Sequence, residues 1–346
     1  MDATWGHPDH AHTSVSASAL QTVFSTHLSD SDARDYDEFV ARAQGTHYSQ
    51  ARCWANVAAA AKPVTPYYFL VRRGNRIIGA ALVLRGRLSG LPLPIAQVER
   101  GPVCDRREDI PDVLDALHSA SLRHGIARLS VMPYWSDEPR ALDAWLDQKG
   151  FADHQGFAGR HARSLRIDLT AIDEKEPFGA PNLAKTRQAI RRAERAGATA
   201  RQAAPEDMQS FRRMHEELQQ LGGKALPADA WYEALAGYFC GSGGQGAAFV
   251  SEFEGQPIAV VLITNHGGLA TYALGASSGL PVKFPKMVLP ISHAILWAKQ
   301  AGARTFDLGG IPLQGDPDPK RASIAEFKYG FSHTEISLVH EHVRWF

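Results

Sequence analysis

The chain carries one pattern twice. FLVRRGNRIIGAALVL at 69–84 reads as an apolar strand, a turn on Gly74 and Asn75, and a second apolar strand; FVSEFEGQPIAVVLIT at 249–264 reads the same way around Gly255. Phe69 aligns with Phe249, Ile78 with Ile258 and Leu82 with Leu262, a constant spacing of 180. RHGIARLSV at 123–131 and QAGARTFDL at 300–308 each close an amphipathic helix on glycine and enter a buried strand, at a spacing of 177. WLDQKGF and EFKYGF then align Gly150 with Gly330 and Phe151 with Phe331, at 180 again. Three anchors in one order describe a tandem duplication of a single supersecondary unit.

Each copy reads helix, strand hairpin, strand, helix, strand, short helix, strand. This predicts an α/β (α+β) fold of two domains, each a mixed sheet flanked by helices. The boundaries predicted are a lead-in over 1–19, a first domain over 20–160, a second over 161–331 that opens on the strand SLRIDL, and a strand-like tail over 332–346 that closes one of the sheets. A length of 346 residues suits two such domains.

Lys and Arg number 37, as do Asp and Glu, which excludes a surface built throughout to hold nucleic acid or anionic lipid. Cys53, Cys104 and Cys240 lie far apart with no CxxC pair, so neither a zinc cage nor a disulfide framework is expected, and a reducing cytoplasm fits. No apolar run reaches the ~20 residues that span a bilayer. The N-terminal stretch has acidic residues and His7, His10 and His12 where a signal peptide places basic residues and an apolar core, and reads as a soluble lead-in without a metal site.

Several motifs lack the context their chemistry needs. GSGGQG at 241–246 has dinucleotide-loop spacing but stands between a helix and a strand, the reverse of that fingerprint. GASSG at 275–279 has nucleophile-elbow spacing, yet Leu280-Pro281 follows where a helix must start, so Ser277 is not expected to attack. His340 and His342 share one strand face with no third ligand, which reads as a solvated face rather than a metal centre.

Two features stand above this background. The predicted helix PNLAKTRQAIRRAERAG at 181–197 sets Arg187, Arg191 and Arg195 at i, i+4, i+8 in a cationic stripe, with Lys185 nearby. Glu194 is the sole acid in that helix, whereas a merely solvated face intersperses acids among its bases, so the stripe is a candidate contact for anions or nucleic acid. The second feature is TFDLGGIPLQGDPDPKRASIAEFKYGF at 305–331. There a buried strand ends in Asp307, Gly309 and Gly310, a polar loop follows, and a short helix carries Phe327 and Lys328. Glycines at a strand end admit a ligand closely, and a lysine beside them can stabilise a developing oxyanion.

YALGASS (272–278), AKQAGARTFDLGGI (298–311) and EFKYGF resemble the C-terminal signature of the Fem family, the aminoacyl-tRNA-dependent transferases that build peptidoglycan bridges. YSQARCW (48–54), RGPVCD (100–105), the basic helix and LRIDL resemble that family too, so the likeness runs over nearly the whole chain after residue 35. It implies a pair of acetyltransferase-like (GNAT) domains and, without the family's inserted helical hairpin, its compact FemX-like branch. It implies that Lys328, Phe327 and Asp105 are catalytic, Asp105 on the acceptor side, and that Tyr272, Trp54, Asp307, Gly309 and Gly310 bind substrate. Where that branch places acceptor-binding basic residues, this chain reads ANVAAAAK and QLGGKAL, leaving Lys62 or Lys224 to stand in.

The function so implied is transfer of an amino acid from aminoacyl-tRNA to an amine acceptor by a cytoplasmic monomer without cofactor or metal. The acceptor is a UDP-MurNAc-peptide or a lipid-linked peptidoglycan precursor, and Lys185, Arg187, Arg191 and Arg195 contact tRNA phosphates. An aminoacyl ester is already activated, so no nucleophile constellation is needed. Two alternatives stand beside it: an acyl-CoA-dependent N-acyltransferase of the same fold, for which neither GPVCDRREDI nor LPVKFPKMVL supplies the usual glycine-rich loop, and a non-catalytic binder of tRNA or sugar nucleotide.

Overall fold

A computed structural model describes residues 19–154, 162–241, 245–313 and 318–346. The N-terminal histidines and parts of the GSGGQG and GDPDPKR loops lie outside these residues. The elements in chain order are β1 (Leu20–Ser25), α1 (Asp30–Arg42), α2 (Ala55–Ala61), β2 (Val64–Arg73), β3 (Arg76–Leu88), β4 (Leu91–Val98), β5 (Val103–Cys104), α3 (Ile110–Arg123), β6 (Arg128–Val131), α4 (Pro139–Gln148) and β7 (Ala152–Asp153). There follow β8 (Arg163–Asp168), α5 (Ala184–Arg195), β9 (Thr199–Gln202), α6 (Met208–Leu221), α7 (Asp229–Cys240), β10 (Gly246–Phe253), β11 (Gln256–His266), β12 (Leu269–Ser277), α8 (Val288–Gln300), β13 (Thr305–Gly310), α9 (Pro319–Tyr329), β14 (Thr334–Ser337) and β15 (His342–Trp345).

Contacts divide the chain into two units. Described residues of the first fall within 1–55, 63–162 and 337–346, and those of the second within 56–62 and 163–336. The first sheet runs β1-β2-β3-β4-β6-β15-β7, with β5 on β3, and the second runs β14-β8-β13-β12-β11-β10-β9. The strand-like tail is thus two strands: β14 pairs in the second sheet, and β15 lies between β6 and β7 in the first. β8, entered straight after the first unit, sits between β13 and β14 in the second sheet, as β15 sits in the first.

The duplication is visible in backbone register. In the first hairpin Val71 faces Gly79 and Arg72 faces Ile77, so Ile78 is an extra residue. In the second, Ser251 faces Ala259 and Glu252 faces Pro257, so Ile258 is the extra one. Both bulges fall on one pair of aligned isoleucines, where they bend the hairpin alike. Glu254 and Gly255 hold φ of 52° and 74°, the backbone a two-residue hairpin turn requires and glycine adopts freely.

Each sheet buries its face under the helix that follows its central strand. Val113, Leu117 and Ala120 of α3 pack with Phe69, Val71, Ile78 and Val83. Ile291, Ala294, Ile295 and Ala298 of α8 pack with Phe249, Ile258, Val261 and Ile263, while α5 lies against α8. That double cover explains why α8 is apolar on most sides. α6 and α7 pack on β10, β11 and β12 through Phe211, Met214, Trp231 and Leu235.

Candidate active site

The second sheet opens at its centre. β12 and β13 pair in parallel only from Leu269–Thr271 to Thr305–Asp307. Beyond Thr271, β12 stays with β11 as far as Ser277, whereas β13 continues with β8. Tyr272 is the first residue past the last parallel pair, and Ala273 beside it has no partner on β11, so a bulge marks the parting. The Tyr272 hydroxyl occupies the place where a side chain on residue 275 would begin, which explains glycine there. Burial pushes its phenol up, so it stays protonated at neutral pH.

β13 ends in a built corner. Asp307 accepts hydrogen bonds from the Ser164 hydroxyl and, at 2.7 Å, from the Gly309 amide. The Arg166 guanidinium lies 3.9 Å from its other oxygen. Gly309 adopts φ +79°, and a Cβ there would stand 3.2 Å from the Tyr272 carbonyl oxygen and 3.4 Å from the Lys328 ammonium. The register to β8 shifts across this corner, which leaves the Gly310 carbonyl to accept a 2.8 Å hydrogen bond from Lys328 Nζ.

Lys328 comes from α9, which begins on Pro319 and is capped by Asp318 accepting from the Lys320 and Arg321 amides. Its side chain is 7% exposed, and Nζ stands 5.9 Å over the Tyr272 ring. Burial pulls its pKa down to about 8, and Asp307 opposes that shift in part. Phe327 packs edge-on against Phe331, at 5.4 Å between centroids, and so anchors the last turn of α9.

Tyr272, Phe327 and Lys328 line a cavity of about 390 Å³, whose apolar wall includes Leu218, Met287 and Ile324. Lys286 and Lys320 also line it, and none of its described lining residues is acidic. Lys286 donates to the Ser278 carbonyl, and burial lowers its pKa. Lys286 and Lys320 were not expected at the site. The stretch 280–289 lacks the glycines of a phosphate loop, and its closely spaced lysines were the one available signal.

The remaining expected residues are not among those lining this cavity. Asp105 lies in the first unit, where Arg76 binds it at 3.3 Å and Arg42 stands 3.7 Å away. Trp54, also there, meets the Tyr48 ring edge-on at 4.7 Å. Lys224 is exposed in the turn after α6, where its amide bonds the Gln219 carbonyl, and it is not among the residues lining the cavity. The basic face of α5 is rotated from the expected stripe. Lys185, Gln188, Arg192 and Arg195 line one groove, while Arg191 is exposed with its carbonyl bonded by Arg195. Arg187 turns inward to the Phe178 and Ala180 carbonyls, because backbone oxygens just ahead of the helix lie within reach of its forked guanidinium. His342 is buried rather than solvated, with Asp143 and Asp147 at 3.8 and 3.6 Å. Among the described residues no group of His, Cys, Asp and Glu is arranged to hold a metal ion, and no helix is long and apolar enough to cross a membrane.

A mixed sheet with a central parallel pair recurs in both units, and in the second the pair parts beside a buried lysine, the frame of an acyltransferase of the tandem GNAT class. The profile of an acetyltransferase (GNAT) domain matches residues 183–328, and that of the FemAB family matches 31–250. The chain belongs to the FemAB family. Its fold is similar to that of FemX, with a TM-score of 0.73 at 16% identity over 94% of this chain and 97% of that one. It is also similar to L-PGS from Bacillus licheniformis (TM-score 0.57, 16% identity, covering 92% and 91%). A tandem GNAT protein from the clavulanic acid biosynthesis pathway shares the fold as well (0.53, 13%, covering 94% and 98%). No curated protein is matched by the sequence.

Proposed function

We propose that the opening between β12 and β13 receives the ester of an aminoacyl-tRNA and that the chain transfers the aminoacyl group to the amine of a peptidoglycan-precursor peptide. One observation carries this reading: Lys328, buried and cationic at neutral pH, stands where the strands part and donates to a backbone carbonyl. The attacking amine forms a C–N bond to the ester carbon, and its proton leaves with the ribose oxygen as the C–O bond breaks. The negative charge that develops on the carbonyl oxygen is met by the Lys328 ammonium in a site shielded from water. Phe327 fixes the turn that carries Lys328, and Tyr272 supplies a protonated hydroxyl and a ring face. Three lysines without an acid suit a donor that brings phosphate, and Lys185, Arg192 and Arg195 on α5 suit an RNA backbone. No step is assigned to Asp105, whose carboxylate serves Arg42 and Arg76.

The test is a transfer assay with a pool of charged tRNAs and candidate amine acceptors, read by mass. An RNase-sensitive gain of one aminoacyl residue is the expected product. The GNAT profile over the site favours acyl-CoA as the second reading. Thermal stabilisation by acetyl-CoA, with none from charged tRNA, would decide for it.

A further inference from the structure

The first unit carries an extension that its counterpart lacks. β3 and β4 pair as far as Leu88 and Leu91, but β4 meets β6 only from Ile95 onward. The tip beyond is therefore a two-stranded projection, turned by Ser89 and Gly90 at φ of 51° and 82°. In the second sheet the corresponding turn is flush: His266 pairs with Leu269, and Leu269 already pairs with Thr305 of β13. Leu88 and Leu91 on the projection are 66% and 71% exposed.

The same end of the first sheet gathers further apolar groups. Trp345, 70% exposed, pairs with Arg128 at the start of β6. The Phe346 amide donates to the Ala127 carbonyl, and the Ala127 amide to the Pro94 carbonyl at 2.7 Å, so hairpin, β6 and β15 meet along one edge. Arg85 joins the hairpin to the end of α3 through the Leu93 and His124 carbonyls, both at 2.9 Å. Leu122, beside that point on α3, is 47% exposed.

The three chain segments that meet at this edge carry charge of one sign. Residues 84–95 hold Arg85 and Arg87, 121–129 hold Arg123 and Arg128, and 343–346 hold Arg344, with no Asp or Glu in any of the three segments. In a chain whose charges sum to zero, that separation is local and specific. The guanidiniums of Arg128 and Arg344 lie over the Trp345 and Phe346 rings at 5.6 and 5.9 Å.

We infer that this edge of the first unit docks on an anionic lipid surface, with Leu88 and Leu91 entering the acyl boundary and the arginines meeting the headgroups. Protruding leucines are costly in water and favoured in lipid, tryptophan prefers the interface, and arginine without interspersed acid is drawn to anionic headgroups. An RNA backbone would be met by the arginines but gives the leucines nothing to bury against. The inference stands apart from the transfer reaction, because it uses residues of the first unit only.

The test is sedimentation of the full chain with vesicles of phosphatidylcholine containing one third phosphatidylglycerol, against phosphatidylcholine alone. Binding is expected to the anionic vesicles only and to weaken as salt rises. The double variant Leu88→Ser/Leu91→Ser should lower partition at least about tenfold, and Arg87→Gln about fivefold. Melting curves check that the variants fold, and Trp345→Ser provides a second probe away from the hairpin. Absence of binding to anionic vesicles, or partition unchanged by both the leucine and the tryptophan variants, would overturn the inference. Light scattering that shows the leucine variant dissociating a dimer, without vesicle binding, would assign the edge to a second copy and overturn it equally. RNA displaced by Arg87→Gln but not by the leucine variant, again without vesicle binding, would assign it to RNA.

Discussion

The two sheets share a hairpin, a bulge and a covering helix, yet they part company where the central strand leaves its parallel neighbour. In the first sheet that place is sealed. On its antiparallel side, toward β3, Gln50 is fully buried, its amide oxygen accepting from the Leu82 amide at 2.8 Å and its amide nitrogen donating to the Glu99 carbonyl at 2.5 Å. On the parallel side, past the last pair of β4 with β6, the Met132 amide donates to the Gly101 carbonyl and closes the gap, and a Cβ on Gly101 would press on the Gln50 amide. In the second sheet the same kind of gap is lined by Tyr272 and Lys328 and opens to a cavity. The residue aligned with Lys328 in the repeat is Gln148, which is exposed at the end of α4. One copy of a duplicated scaffold thus spends its sheet gap on backbone hydrogen bonds, and the other leaves it as a site.

The largest expected effect breaks this comparison directly. Lys328→Met keeps the length of the side chain but removes its cation, and should lower the transfer rate about 10²–10³-fold, the usual cost of losing an oxyanion donor. Gln148→Ala should leave transfer unchanged. Equal losses from both, or neither, in single-turnover assays would deny the second gap its special role.

Titration tests the same lysine without substrate. Burial disfavours the charged form in the folded chain, so the unfolded chain holds the proton more tightly. Between about pH 8 and the ordinary lysine value of 10.5 the unfolded state therefore binds more protons, and stability rises with pH. Below that window both states are protonated and the burial cost is fully present. The span corresponds to about 3 kcal/mol at most. Denaturant melts of the wild type should gain on Lys328→Met by up to that amount across the window, and transfer should fall above about pH 8 as the cation is lost. Parallel pH curves for the two proteins would show that Lys328 titrates at its ordinary value.

The sealed gap gives a smaller effect of the opposite kind. Gln50→Leu leaves the buried Leu82 amide without that partner, at roughly 1–3 kcal/mol, while the Glu99 carbonyl keeps the Ser49 hydroxyl as a donor. Chemical denaturation should record the loss as reduced stability. A variant as stable as the wild type would mean that the first sheet needs no plug.

The repeat was legible because strand alternation, turn glycines and helix ends are local, and even the two bulges fall on aligned isoleucines, Ile78 and Ile258. Phe327, Lys328 and the Asp307–Gly310 corner were legible for the same reason, since one short stretch carries them all. Gln50 was not, because a glutamine's partners 32 and 49 residues away leave no mark in its own segment. Nor was the facing of α5, because spacing fixes which residues share a stripe but not which arginine is drawn to nearby carbonyls. The tail's division between two sheets escaped as well: alternation identifies strands without naming their partners.

The smallest effect concerns α5, which covers α8 in the second unit; the positions aligned with it in the repeat fall before residue 19, outside the described part of the first. If its groove meets phosphate, Arg192→Glu should weaken RNA binding several-fold at low salt and flatten the salt dependence by about one counterion for each phosphate the arginine had neutralised. Arg187→Gln should behave differently. Its guanidinium holds the Phe178 and Ala180 carbonyls, so the expected change is in melting temperature, with the salt slope kept. Filter binding of a charged tRNA across a salt series separates the two outcomes. Equal salt slopes for wild type and Arg192→Glu would return the groove to solvent and confine donor recognition to the cavity beside Lys328.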